Sequence, residues 1–224
     1  FRSAADMMYG NSTVNPLPDF AASDFALIVG ANPVISHGSL VTTGRIREVL
    51  RDIPRRGGRV VVVDPRRTET ARLFEHVAIK PGADAWLLLA MLRVIFDENR
   101  HDAVALARQT TGIESLRRLA GKIDLARAAA ETGIDVETIT ELARALAGAP
   151  AASVYGRCGA SLGQYSTLVK YLLDALAIVT GNFDRRGGMV LGDPMVDFET
   201  LGARFGIAGR GRWTTRVDGV PEVM

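Results

Sequence analysis

Short apolar runs along the chain, each followed by turn residues, predict the strands of a parallel sheet. The run from Phe25 to Val29 is continuous and stops at Gly30, as expected of a strand covered on both faces. The run from Val60 to Val63 consists of β-branched valines and stops at Asp64-Pro65. Two further strands are predicted at 77–79 and 151–155.

The segments between these runs carry the apolar spacing of helices. Two polar residues, Ser39 and Asp84, are placed where they could cap helices, and Asp135 is a third candidate cap. The predicted helices are 39–51, 84–99, several within 101–147, and 165–180. Alternation of strand and helix predicts an α/β fold, in which flanking helices cover a doubly wound, mostly parallel, Rossmann-like sheet.

The same pattern divides the chain into three parts. Residues 1–23 form a lead-in segment, and residues 24–188 form the Rossmann-like domain with a helical insert at about 101–147. Residues 189–224 are rich in glycine and are predicted to be an irregular tail leading to a further region. Because the chain has no initiating Met and no signal-like start, we expect it to be the middle piece of a longer protein.

Composition excludes several classes of protein. Hydrophobic residues make up 47% and charged residues 23% of the chain, so it can bury a core and is neither disordered nor fibrous. A net charge of +2 does not demand nucleic acid as a partner. The most apolar run, 85–96, contains Arg93 and is about half the roughly 20 residues that span a bilayer, so no membrane segment is predicted.

The single cysteine and the three histidines limit the metal sites that the chain could form and bear on its cellular location. The single Cys158 excludes a disulfide framework and any Cys-x-x-Cys metal site within the chain. The three histidines are far apart in sequence, so no metal site is predicted. One cysteine fits a reducing compartment, and we expect a cytoplasmic rather than a periplasmic location.

Ligands of open parallel sheets bind beyond the carboxyl ends of the strands, where this chain has unusual turns. Gly30 allows backbone to approach a phosphate and Asn32 offers an amide, although a plain turn explains both. Asp64 lies where dinucleotide folds hold a ribose, or it starts a turn. Arg66 suits a phosphate, or it is a solvated surface arginine.

Asp84 has the most specific potential chemistry among these residues. Its carboxylate can accept hydrogen bonds from the N1–H and amino groups of guanine, a pairing that adenine cannot reproduce. Helix capping is an equally good explanation of this aspartate. The chain lacks both Gly-x-Gly-x-x-Gly and the phosphate-loop pattern Gly-x-x-x-x-Gly-Lys-Ser/Thr, which argues against an ordinary NAD domain or nucleotide hydrolase.

Four segments follow one another in a distinctive order along the chain. They are Gly30-Ala31-Asn32-Pro33, Val62–Ala71, Lys80–Ala85, and Leu176–Asn182 with Gly187-Gly188. In this order they resemble the molybdopterin oxidoreductases of the dimethyl sulfoxide reductase family. The resemblance covers roughly residues 15–190 and rests on the order of the segments, since each is weak alone.

The resemblance implies a domain of a molybdenum-dependent oxidoreductase that holds the guanosine end of one molybdopterin guanine dinucleotide. The parent enzyme would carry two such dinucleotides on molybdenum, and this chain would supply no catalytic residue and no metal ligand. Guanine would be read by Gly82 and Asp84. The pyrophosphate and guanosine would be lined by Gly30, Ala31, Asn32 and His37, the ribose side by Asp64, Pro65, Arg66 and Thr68, and the pterin side by Cys158, Gly159 and Gln164.

The chain also departs from the family pattern. The resemblance implies an iron–sulfur cluster and a molybdenum ligand upstream of Phe1, so Cys158 is expected to be a small, semi-buried residue. An Arg-Gly-Gln segment typical of formate dehydrogenases does not follow Gly188, which argues against formate as the substrate. The implied partners are the remaining domains and a redox partner, and the fragment alone is expected to be inactive. The alternative is a structural α/β domain or a generic nucleotide-binding module.

Overall fold

Strands and helices alternate through most of the chain. The computed structural model describes residues 2–11, 14–38, 41, 43–194 and 222–223. The strands are β1 (Leu17–Pro18), β2 (Phe25–Val29), β3 (Arg59–Val63), β4 (Glu75–Val77), β5 (Ala152–Gly156), β6 (Met189–Val190), β7 (Asp193–Pro194) and β8 (Glu222–Val223). The helices are α1 (Arg2–Tyr9), α2 (Pro33–Ser36), α3 (Ile46–Arg55), α4 (Asp84–Asp97), α5 (Ala103–Gln109), α6 (Ile113–Gly121), α7 (Leu125–Thr132), α8 (Val136–Gly148), α9 (Cys158–Ser161) and α10 (Ser166–Val179).

The central sheet has four parallel strands in the order β4-β3-β2-β5. Phe25 at the start of β2 lies opposite Arg59 of β3 on one side and Ala152 of β5 on the other. The chain therefore moves outward from β2 to β4 and then returns to the opposite side of β2. This reversal creates a topological switch point between β2 and β5, and the predicted parallel α/β fold is confirmed.

Side chains on successive residues of β2 enter two different cores. Leu27 packs in the larger core, to which α4, α8 and α10 contribute. Ile28 packs in a smaller core with Leu50 and Ile53 of α3. Because successive strand residues point to opposite faces, a continuously apolar strand is what a sheet covered on both faces requires.

Helix α4 is apolar on nearly all sides because other helices surround it. It contacts α10 and α8 as well as α6 and α7 of the insert. Among the described residues, no helix combines the length and apolarity needed to cross a membrane. The insert helices α5, α7 and α8 have aspartate N-caps, whose carboxylates each accept a hydrogen bond from the backbone N–H three residues later. These caps are Asp102, Asp124 and Asp135. The predicted cap at Asp135 is thus confirmed.

The largest differences from the prediction are the bounds of α3 and β4 and the cap of α4. Helix α3 begins at Ile46 and ends at Arg55, whereas the sequence predicted 39–51, and Ser39 lies outside the described residues. Pro54 lies in the last turn of α3. Proline has no backbone N–H to donate, but little of the helix follows it, so the disruption is small. Strand β4 spans 75–77 rather than 77–79. The cap of α4 is Ala83, and Asp84 is its first residue with no capping hydrogen bond from its side chain.

The lead-in segment packs against the end of the domain. Strand β1 pairs antiparallel with β6, and α1 packs on α10. The hydroxyl of Tyr9 donates to a carboxylate oxygen of Asp174 at 3.0 Å, and the ammonium of Lys170 donates to the other oxygen at 2.7 Å. Strands β7 and β8 pair in parallel, while residues 195–221 of the predicted irregular tail lie outside the described residues.

Asn182 joins the end of α10 to the beginning of β5. Its side-chain oxygen accepts a hydrogen bond from the backbone N–H of Ala152 at 2.9 Å, and its amide group donates to the Thr180 backbone and hydroxyl oxygens. Its backbone oxygen lies 2.1 Å from where a side chain on Gly188 would begin. Thr180–Asn182 and Gly187-Gly188, which belong to the fourth segment of the resemblance, therefore form a tight turn with a structural role.

Asn182→Ala is expected to lower the free energy of unfolding by about 2 kcal/mol, because the buried N–H of Ala152 loses its acceptor. Urea denaturation followed by circular dichroism measures the change. Thr167→Ala, at an exposed position of α10, is the control and should change stability by less than about 0.5 kcal/mol. Equal effects of the two substitutions would contradict the structural role of Asn182.

Candidate functional site

The switch point is closed at its base by a direct backbone contact. Gly30 follows β2 with a φ of +56°, and its carbonyl oxygen accepts a hydrogen bond from the N–H of Gly159 at 3.0 Å. A Cβ atom at position 30 would lie 2.1 Å from the backbone nitrogen of Ala160. Glycine is therefore required at this position because α9 approaches it closely. Ala31, which comes next, is buried.

Asn32 connects the loop after β2 with the loop after β3. Its side-chain oxygen accepts hydrogen bonds from the hydroxyl of Thr70 at 2.7 Å and from the Thr70 backbone N–H at 3.2 Å. Its amide nitrogen donates to Glu69 at 2.7 Å. Glu69 and Thr70 lie within the segment Val62–Ala71 of the resemblance, but no function was predicted for them. Their partner lies 37 and 38 residues away, so only the motif itself could have signalled their importance.

His37 lies on the outer side of the same region. It ends α2 in the left-handed conformation, with a φ of 53°, and its side chain is exposed. The adjacent carbonyl of Gly38 accepts a hydrogen bond from the Tyr155 hydroxyl at 2.6 Å, which ties this turn to β5. Burial raises the pKa of Tyr155 to about 12, so its hydroxyl remains a donor at neutral pH.

The loop after β3 contains the four residues predicted on the ribose side. Asp64 accepts a hydrogen bond from the backbone N–H of Arg66 at 2.8 Å, which forms a turn around Pro65. Thr68 is buried, and its hydroxyl accepts from the N–H of Ala71. The Arg66 side chain is 65% exposed, with its guanidinium 3.6 Å from Glu69. Of these side chains, Arg66 is thus the one free to meet a phosphate.

Asp84 is a buried carboxylate at the start of α4. It is 5% exposed, and among the described residues no side chain donates a hydrogen bond to it. Burial raises the pKa of Asp84 to about 6, and the negative charge of Asp64 adds to this increase. A buried carboxylate without a side-chain donor carries a free-energy cost that an incoming N–H donor would relieve.

Gly82, two residues before Asp84, borders open space. It has a φ of +78°, and a Cβ atom placed on it would find no atom within 4 Å. The opposite side of this space is approached by the loop after α9, since a Cβ on Gly163 would lie 3.3 Å from the Cα of Gly82. The structure therefore brings the loops after β4 and β5 together at the same edge.

The residues predicted on the pterin side are less enclosed. Cys158 is exposed, so the expectation that it is semi-buried is wrong. It begins the short helix α9 beyond the end of β5, where little of the domain covers it. Gly159 is also exposed and contacts Gly30 through its backbone, and the side chain of Gln164 is exposed in the loop before α10.

The described residues show no group of three or more His, Cys, Asp or Glu side chains that could hold a metal ion. A groove of about 880 Å³ lies elsewhere, between α1, α5 and α10, with Met8, Arg108 and Tyr171 in its lining. None of the predicted site residues lines this groove. The chemistry suggested by the sequence is therefore concentrated at the carboxyl edge of the sheet.

Comparisons with known proteins identify the family of this chain. A family model described as molybdopterin oxidoreductase matches residues 2–192. The alpha subunit of an F420-dependent formate dehydrogenase from Methanocaldococcus jannaschii is 30% identical over 174 residues, covering 77% of this chain and 25% of the relative. Formate dehydrogenase H from Escherichia coli is 30% identical over 178 residues, covering 79% of this chain and 24% of the relative.

A solved structure has the same fold. Acetylene hydratase from Pelobacter acetylenicus matches 92% of this chain with 28% of its own, at a TM-score of 0.77 and 23% sequence identity. The chain spans about a quarter of the length of the curated relatives described above. The family match covers most of the chain, and the resemblance seen in the sequence is confirmed. This chain belongs to the molybdopterin oxidoreductases.

Proposed function

We propose that this chain binds the guanosine and pyrophosphate part of a molybdopterin guanine dinucleotide, as one domain of a molybdenum-dependent oxidoreductase. The observation that carries the proposal is the buried Asp84 carboxylate, which has no side-chain donor among the described residues and lies two residues after Gly82, where the chain borders open space. Guanine offers two N–H donors on one edge, which a carboxylate oxygen pair can accept together. The residues at this edge therefore fit a guanine nucleotide.

The neighbouring loops suit the rest of the nucleotide. Asp64 lies at the end of β3, where a carboxylate can hold ribose hydroxyls. The exposed guanidinium of Arg66 can pair with a phosphate oxygen. Backbone N–H groups beyond β2 and β5 would face the pyrophosphate. The protein thus binds and orients the cofactor, while the bound cofactor supplies the redox chemistry.

The proposal extends to the whole enzyme. Other domains would complete the cofactor site, and the substrate and the redox partner would meet the cofactor there. An iron–sulfur cluster in the parent enzyme would need cysteines beyond this chain, which contains only Cys158. The isolated chain is expected to bind nucleotide without catalysing a reaction.

Nucleotide selectivity tests the proposal. GDP at ten times its dissociation constant should stabilise the chain by about 1.4 kcal/mol, or about 3 to 5 °C for a domain of this size. ADP and NAD at the same concentrations should produce smaller shifts, because neither presents the donor edge of guanine. Differential scanning fluorimetry measures the three melting temperatures.

Equal shifts for all three nucleotides would favour a generic nucleotide-binding module. Shifts within experimental error for all three would favour a structural α/β domain. Either result would contradict guanine recognition at this edge.

A further inference from the structure

Three side chains, Asn32, Glu69 and Thr70, tie together two loops at the carboxyl edge of the sheet. We call this set the loop clamp. Asn32 lies after β2, whereas Glu69 and Thr70 lie after β3. The hydroxyl of Thr70 donates to Asn32 and also accepts from the backbone N–H of Val34 at 3.2 Å. The loop clamp therefore fixes the start of α2 relative to the second loop.

The amide of Asn32 is largely occupied by this arrangement. Its oxygen has two acceptor sites, and both are used by Thr70. One of its two N–H donors is used by Glu69. Only one N–H of this side chain is left over for a direct contact with a ligand, so an indirect role through the loop clamp agrees better with the geometry.

Glu69 extends the connection to Arg66. The same carboxylate oxygen of Glu69 accepts from Asn32 at 2.7 Å and lies 3.6 Å from a guanidinium nitrogen of Arg66. Hydrogen bonds from its own backbone and from Asn32 keep the pKa of Glu69 below its usual range. Glu69 is therefore ionised at neutral pH and can hold the guanidinium in one region.

We propose that Asn32 and Glu69 are positioning residues, which hold Arg66 and the two loops ready for the pyrophosphate without contacting the cofactor themselves. The proposal rests on the proposed function, because it assumes a nucleotide at this edge. The physical reason is preorganisation: loops and side chains that are already ordered lose less conformational entropy on binding. Without the loop clamp, that ordering would have to occur during binding.

A double-mutant cycle with GDP tests the positioning role. Asn32→Ala and Glu69→Ala should each weaken GDP binding about fivefold in isothermal titration calorimetry. The double variant should also be about fivefold weaker, because each substitution removes the Asn32–Glu69 hydrogen bond on which the positioning of Arg66 depends. Losses that multiply to about 25-fold would show independent contacts and would overturn the proposal.

Glu69→Gln separates positioning from charge. Glutamine retains an oxygen that can accept from both Asn32 and Arg66 but removes a negative charge near the phosphates, so GDP affinity should be at least that of the wild type. If the only effect of Glu69 were electrostatic repulsion, Glu69→Ala would also bind GDP more tightly, which is the opposite of the expected loss. The matched control is Glu131→Ala, since Glu131 forms a similarly exposed pair with Arg127 at 3.7 Å. This control should leave GDP affinity unchanged.

Hydrogen exchange tests the loop clamp without a ligand. Asn32→Ala should speed exchange at Thr70, and Glu69→Ala should speed exchange at Val34, while α8 keeps its protection. Changes confined to the substituted loop would overturn the connection.

If the wild type binds no GDP, the proposed function fails and the positioning role fails with it. If the wild type binds GDP but the cycle is additive, the positioning role alone fails.

Discussion

Asp84→Asn is expected to stabilise the ligand-free protein at pH 7.5 and, at the same time, to remove its preference for guanine nucleotides. The pKa of Asp84 is raised from 3.8 to about 6, chiefly by burial. Above pH 6 the folded protein holds a buried charge that the unfolded chain solvates, so stability decreases as the pH rises from about 4 to 6. Below about pH 3 the carboxyl is neutral in both states and the cost is absent.

Asparagine removes this cost while preserving the shape of the side chain. At about 1.4 kcal/mol per pKa unit, the gain in free energy of unfolding is about 2 to 3 kcal/mol at pH 7.5 and only about 0.5 kcal/mol at pH 4. Urea denaturation at both pH values measures it. Asp135→Asn serves as a control, because Asp135 caps α8 and hydrogen bonds to Thr138 hold its pKa below the usual range. It should give no stabilisation at pH 7.5.

The same substitution should impair guanine recognition. Asparagine keeps one acceptor but presents an N–H group where guanine also presents N–H groups, so GDP affinity should fall at least tenfold. ADP affinity should not fall, because the amide oxygen of asparagine can accept from the N6 amino group of adenine and its N–H can donate to N1. Calorimetry with both nucleotides measures the two affinities. Asp84→Ala should likewise weaken GDP more than ADP, and equal losses would exclude a base-reading role.

Gly30→Ala is expected to destabilise the fold by about 3 to 4 kcal/mol. A left-handed φ costs a non-glycine residue about 1 to 2 kcal/mol, and overpacking adds about 1 to 3 kcal/mol. The new Cβ would meet backbone atoms of Gly159 and Ala160, at 2.6 and 2.1 Å. Backbone in this position cannot move freely, because the Gly159 N–H is bonded to the Gly30 oxygen.

Gly82→Ala separates the two causes. Gly82 also has a positive φ, but a Cβ there meets no atom within 4 Å, so only the conformational cost of about 1 to 2 kcal/mol applies. Urea denaturation of both variants compares the costs. A Gly30→Ala variant that does not fold, beside a folded Gly82→Ala, agrees with the steric argument. Equal stabilities would contradict it.

The sequence predicted the strands well because local patterns determine them. The apolar run at 25–29 and the valines at 60–63 are strands, and the turn residues after them lie at one edge of the sheet. The start of α3 was predicted less well. Short helix α2 and a left-handed Arg45 with a φ of 57° precede it, and capping rules applied to single residues do not anticipate such a turn.

The candidate site was also predicted only in part from the sequence. The order of the motifs indicated which loops would carry the nucleotide, and three of those loops approach one another through Gly30, Gly159, Gly163 and Gly82. Capping remained a good explanation of Asp84 until the structure placed the cap at Ala83. The exposure of Cys158 was predicted incorrectly, because burial depends on which elements lie above a turn.

The sequence by itself determined the parallel α/β fold, the loops at the carboxyl ends of the strands and the family. The fold and the loops follow from periodicity and turn residues, which are properties of neighbouring residues, and the family follows from the resemblance in motif order. Only the tertiary structure decided that Asp84 is buried without a side-chain donor and that Asn32 is bonded to Glu69 and Thr70. Such facts depend on residues far apart in the chain that meet only when parallel strands align their ends at one edge.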